Sequence, residues 1–71
     1  MHIIKLREGE DFIKLGQALK AAGLVDSGID AKEAIQQGLV LVDGEVDTRR
    51  GRKLYDGAEV IYDDEKISIQ K

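Results

Sequence analysis

The sequence predicts an α+β domain with two helices and a mostly antiparallel sheet, in the order β-α-α-β-β-β-β. Three observations carry this reading. Apolar residues recur at helical spacing, first through residues 12–22 and again through 31–38. Asp43-Gly44 stands between two apolar runs, the signature of a tight hairpin. Proline is absent, and glycines (Gly9, Gly23, Gly38, Gly44, Gly51 and Gly57) punctuate the periodic segments instead.

The elements follow in order. His2 to Leu6 is a short apolar run and reads as a first strand. Glu8, Glu10 and Asp11 precede a helical stretch, where carboxylates complement the helix dipole. Phe12, Leu15, Leu19 and Ala22 fall on one face of that helix, and Gly23 closes it. Ser27 is the expected N-cap of a second helix, with Asp30 in a capping-box-like position three residues on. Ala31, Ala34, Ile35 and Gly38 form its inner stripe, and small residues let the helices approach closely. A two-residue type I′ loop at Asp43-Gly44 pairs Val42 with Glu45, Leu41 with Val46 and Val40 with Asp47. The face bearing Leu39, Leu41, Val46 and Thr48 is expected to pack on the helices. Asp56-Gly57 marks a turn before a strand at Ala58 to Tyr62, and Asp63, Asp64 and Glu65 lead to a last strand, Lys66 to Gln70.

Composition narrows the function classes. Seventy-one residues make a single domain, 1–71. At this size only roughly 60% of the unfolded surface is buried, so the core is thin. Hydrophobic residues are 42% and charged residues 35%, as in a soluble globular chain. The lack of Cys excludes disulfides and thiolate metal sites. No apolar run approaches a membrane span or a signal-peptide core. The expectation is a cytoplasmic monomer that folds without cofactor or metal and takes no small-molecule substrate. A net charge of −3 excludes a broadly basic nucleic-acid coat, so any such site is a local patch on an acidic body.

Candidate chemistry is sparse. His2 is the only His and reads as a surface strand residue lacking an oriented partner. Asp63 and Asp64 sit in an expected solvated turn. With no Cys there is no Cys/His catalytic set, and the single His, second in the chain on a surface strand, is a poor centre for a Ser/His/Asp set. VDSGIDAKEA has neither P-loop spacing nor the dinucleotide fingerprint. Phe12 reads as core. Tyr55 and Tyr62 are open, but two scattered tyrosines are little for a reader of single strands.

The basic cluster is the stronger signal. Arg49, Arg50, Arg52 and Lys53 concentrate charge against the trend of the chain, and Gly51 lets the backbone come close to a partner. The plain alternative is a solvated loop balanced by Glu45 and Asp47. Lys14 and Lys32 lie on helical faces away from the apolar stripes. The opening of the second helix, Ser27-Gly28, offers free backbone N–H groups and a positive dipole end suited to a phosphate.

The stretch KLGQALKAAGLVDSGIDAKEAIQQGLVLVDGEVDTRRGRKLYDGAEV, residues 14–60, resembles the RNA-binding domain first defined in small-subunit ribosomal protein S-four. In particular it is similar to the small free-standing bacterial members, the YaaA/YbcJ-like proteins. The elements that agree are the Leu15 and Leu19 helix, Gly23, Ser27, Ala31-Lys32, Ile35, Gly38, the Val-Asp-Gly turn and Asp56-Gly57. The resemblance implies the alpha-L RNA-binding motif, two short helices packed on a small sheet, with flanking strands 2–6 and 66–70. It also implies binding of structured RNA, associated with the ribosome or its RNA. Lys14 and Lys32 stand where the wider family commonly has arginines, and Arg49 to Lys53 where it has a basic loop. Gly28 stands at a position that is usually Arg, Gly16 at one that is usually Asp, and Asp43 at one that is usually Asn. The small free-standing members share the Gly-for-Arg change. The catalytic domains that larger relatives carry are not found in this sequence.

The sequence therefore predicts a non-enzymatic protein that binds structured RNA, rRNA or ribosome-associated, in the bacterial cytoplasm. The expected contacts are Lys14, Ser27, Gly28, Lys32, Arg49, Arg50, Arg52 and Lys53. The alternative is a protein–protein adaptor with an acidic surface. A ubiquitin-like sulfur carrier fits the build, but such carriers end in Gly-Gly, whereas this sequence ends Ser-Ile-Gln-Lys.

Overall fold

The computed structural model describes all of residues 1–71. The elements are β1 (His2–Lys5), β2 (Ile13–Lys14), α1 (Leu15–Ala21), α2 (Gly28–Gln36), β3 (Val40–Val42), β4 (Glu45–Val46), β5 (Lys53–Leu54), β6 (Glu59–Tyr62) and β7 (Glu65–Gln70). A five-stranded sheet runs β1-β7-β6-β3-β4, and β2 and β5 form a separate two-stranded ribbon. Only β1 and β7 pair in parallel. The α+β class and the mostly antiparallel sheet are as expected. The ribbon of β2 and β5 is an addition.

Both helices end in the same way. Gly23 (φ +74°) and Gly38 (φ +78°) take the left-handed conformation just past the last helical residue. Leu24 N–H reaches Leu19 O at 3.1 Å and Leu39 N–H reaches Ala34 O at 3.2 Å, the long-range bond of a Schellman motif. Gly38 therefore terminates α2 rather than extending its inner stripe. Ser27 caps α2 as expected, its Oγ accepting from Asp30 N–H at 3.2 Å. The first helix begins later than its periodicity suggests. Lys14 is extended (φ −78°, ψ 147°), and Phe12 lies outside the helix, half-buried, instead of in the core. Ile13 and Lys14 prefer to pair with Leu54 and Lys53, a tertiary match that overrides local period.

The hairpin register is as expected: Leu41 opposes Val46 and Val42 opposes Glu45, with Asp43 (φ +51°) and Gly44 (φ +87°) in the loop. Its orientation is the reverse of expectation. Val40 and Val42 are buried against the helices, whereas Leu39 is 54% and Val46 56% exposed. The helices supply Leu15, Leu19, Ala31 and Ile35 to that inner layer, with Val60, Ile67 and Ile69 from the sheet and Leu54 from the ribbon. The turn at Asp63-Asp64 also uses two positive φ values, 52° and 62°.

Candidate nucleic-acid interface

The basic loop is fastened to the start of α1. A helix leaves its first N–H groups without internal partners. Here Leu15 N–H donates to Arg52 O at 2.8 Å, and Gly16 N–H donates to Arg50 O at 3.1 Å. Gln17 Oε1 accepts from Lys14 N–H at 3.3 Å. The loop is thus held by backbone bonds, independent of what its side chains do.

Asp47 organises those side chains. Its Oδ1 accepts from Arg49 N–H at 2.9 Å and from Arg49 Nε at 3.1 Å. Its Oδ2 accepts from Arg49 Nη2 at 2.9 Å and from Arg52 Nη1 at 2.7 Å. The side chain is only 7% exposed and both its oxygens are engaged by guanidinium groups. The Arg49 side-chain bonds hold the Asp47 carboxyl well below the usual carboxylate range, against the opposing cost of burial. Arg49 backbone N–H and Arg52 push in the same direction, and Asp47 raises Arg49 in turn.

Two loop cations therefore share one carboxylate, and the other two point elsewhere. Arg50 joins Lys14, Gln17, Lys20, Gly28 and Ala31 around an open cleft of about 390 Å³ between α1, the start of α2 and the loop. No carboxylate lines it. The N–H groups of Gly28 and Ile29 take part in none of the backbone bonds outside regular elements, so the opening of α2 presents free donors beside three cations. Lys53 turns the other way, its Nζ 4.9 Å from the centre of the Phe12 ring.

A family model described as an S4 domain matches residues 4–70. The chain belongs to the S4 domain family.

Two relatives give the comparison scale. This S4 domain is 51% identical over 47 residues to the Bacillus subtilis (strain 168) protein named "Probable ribosome maturation protein RlbA", covering 66% of each chain. It is 37% identical over 57 residues to the Escherichia coli (strain K12) protein named "Putative RNA-binding protein YbcJ", covering 80% of this chain and 81% of that one.

Among the residues expected from sequence, the cleft of the S4 domain gathers Lys14, Gly28 and Arg50. Arg49, Arg52 and Lys53 line a neighbouring hollow. Ser27 is committed to capping α2, and Lys32 is exposed on α2 without lining the cleft. Lys20 was missed. Gln17 and Lys20 are spaced by three on the face of α1 opposite Leu15 and Leu19, in line with Lys14 just before the helix, and that spacing could have revealed it. Asp47 is more than the counter-charge expected of it: the Asp-x-Arg spacing suits an Asx turn, and its Oδ1 accepts from Arg49 N–H. The glycine at position 16 also has a local reason. A Cβ there would meet Arg50 Cγ at 2.8 Å, so a side chain at 16 and the present Arg50 conformation exclude one another. No group of three or more His, Asp or Glu side chains is arranged to hold a metal ion.

Proposed function

We propose that this chain is a non-catalytic RNA-binding module that docks the phosphates of a structured RNA in the cleft between α1, α2 and the basic loop. One observation carries the reading: Lys14, Lys20 and Arg50 converge on a carboxylate-free cleft beside free N–H donors, on a chain whose net charge is −3. Charge separation of this kind favours a polyanion held locally and repelled elsewhere. The names of the two relatives, one of ribosome maturation and one of RNA binding, support rRNA or a ribosome-associated RNA as the partner and the cytoplasm as the place of action. Phosphate contacts set position, and the shape of the folded RNA supplies selection.

The test is binding to a folded rRNA fragment across a salt series, with Lys20→Glu/Arg50→Glu as the variant. About three to four phosphate contacts give a slope of log K against log salt of roughly −2 to −3.5. The double variant should lose most affinity while melting normally, since both side chains are exposed. A flat salt response would instead favour the adaptor with an acidic surface, to which the exposed Leu39, Val46 and Ile61 add apolar contacts.

A further inference from the structure

The hollow beside the cleft has a different chemistry. It measures about 660 Å³ and is lined by Arg49, Gly51, Arg52, Lys53 and Tyr55. Three of these are cations, one has no side chain, and the fifth is an aromatic ring. Tyr55 is 52% exposed. It is nonetheless braced, its ring centroid 5.9 Å from that of Phe12 at an interplanar angle of 55°. Lys53 lies over the same Phe12 ring. The ring is therefore half-exposed and held by a tilted aromatic contact, unlike a surface Tyr free to swing.

Gly51 belongs to both the cleft and the hollow. A Cβ built on it meets nothing within 4 Å, so the backbone where cleft and hollow adjoin is open and carries no side chain. One RNA strand can lie with its phosphates in the cleft and a neighbouring residue over Tyr55. Bases inside an A-form helix are stacked and paired and cannot reach a ring. Unpaired bases can be splayed out and stacked on aromatic side chains. A single exposed ring accommodates one base, not a tract.

We propose that Tyr55 is a stacking platform for one unpaired nucleobase, so that the favoured ligand is a folded RNA with a bulged or junction nucleotide next to a helix. This rests on the cleft being the phosphate site. The charges of Arg49, Arg52 and Lys53 then meet the phosphates flanking the unpaired nucleotide, while the Asp47 pairing fixes Arg49 and Arg52 as the rim.

The experiment compares a blunt RNA duplex with the same duplex carrying one bulged 2-aminopurine. Wild-type protein, Tyr55→Phe, Tyr55→Leu and Tyr55→Ala are titrated with each RNA, alongside the Lys20→Glu/Arg50→Glu variant. Wild type and Tyr55→Phe should bind the bulged RNA more tightly and quench the probe by stacking. Tyr55→Leu, which keeps an apolar contact to Phe12 but has no π face, should lose about fivefold or more on the bulged RNA. It should change little on the blunt duplex, and Tyr55→Ala should behave alike. The cleft variant should weaken both RNAs together. Equal binding of bulged and blunt RNA, or a Tyr55→Leu loss of the same size on both, overturns the stacking proposal and leaves the cleft in place. Binding of both RNAs unaffected by the cleft variant overturns the phosphate site, and the stacking proposal falls with it.

Discussion

Arg50 lies so close to Gly16 that a β-carbon at position 16 would sit 2.8 Å from Arg50 Cγ. Cγ is near the backbone, so clearing it requires rotating Arg50 about its first side-chain bond or moving the loop. The glycine thereby sets where this guanidinium lies relative to Lys14 and Lys20. Gly16→Ala should lower RNA affinity several-fold, about 1 kcal/mol for a displaced charge-assisted contact at a wet surface. Its effect on stability should be small, because the gain in helix propensity, at most about 1 kcal/mol, opposes the steric cost. Arg50→Ala removes Cγ and with it the conflict. In that background Gly16→Ala should cause no further loss of binding. Additive losses would show that the two residues act separately.

Asp47 makes the loop sensitive to acid. Folding lowers the Asp47 pKa, so the native state takes up this proton less readily than the unfolded chain. Its stabilising effect is complete above the ordinary carboxylate value near 4 and fades as pH falls below it. Asp47→Asn should destabilise the protein by about 1 kcal/mol at neutral pH, a figure kept low because Arg49 is 69% exposed and its bonds are screened. Urea unfolding from pH 7 to pH 2 should show a constant gap between wild type and variant down to about pH 5. The gap should then close progressively below pH 4. A gap that persists undiminished at pH 2 would assign the loss to something other than the carboxylate charge.

Gly28 opens α2 at the edge of the cleft. It does not adopt a positive φ, and a Cβ there meets nothing within 4 Å. Nothing in the backbone requires glycine at this point. Gly28→Arg should therefore melt within about 0.5 kcal/mol of wild type, a better helix former offset by a cation at the positive helix end. It should bind RNA roughly fivefold more tightly at fixed salt, about 1 kcal/mol for a partly solvated charge-assisted contact. Unchanged affinity with unchanged melting would mean that this end of α2 faces away from the RNA.

The features legible in the sequence are those fixed by neighbours along the chain. Ser27 as a cap, Gly23 as a stop and the Asp43-Gly44 register each depend on a few adjacent residues, and each stands where expected. The face of the hairpin does not. Leu39, Val40, Leu41 and Val42 are all apolar, so alternation offers two equivalent faces, and only packing against Leu15, Leu19 and Ile35 selects Val40 and Val42. The β2–β5 ribbon was hidden for a similar reason, since Ile13 finds Leu54 far along the chain. In the candidate site the cations were visible as a cluster. Their division was not, because which of Arg49, Arg50, Arg52 and Lys53 turns to Asp47, to the cleft or to Phe12 depends on the folded loop.

The carbonyls of Arg50 and Arg52 hold the amides of Gly16 and Leu15 before any partner arrives. Ordering of the loop is thus completed during folding and is not left for the encounter. A flexible basic loop would search through conformations after first contact and give up entropy on docking. In the proposed docking mode the incoming polyanion meets a loop already ordered, so the association rate would be governed by diffusion and by electrostatic steering toward the cations of the cleft.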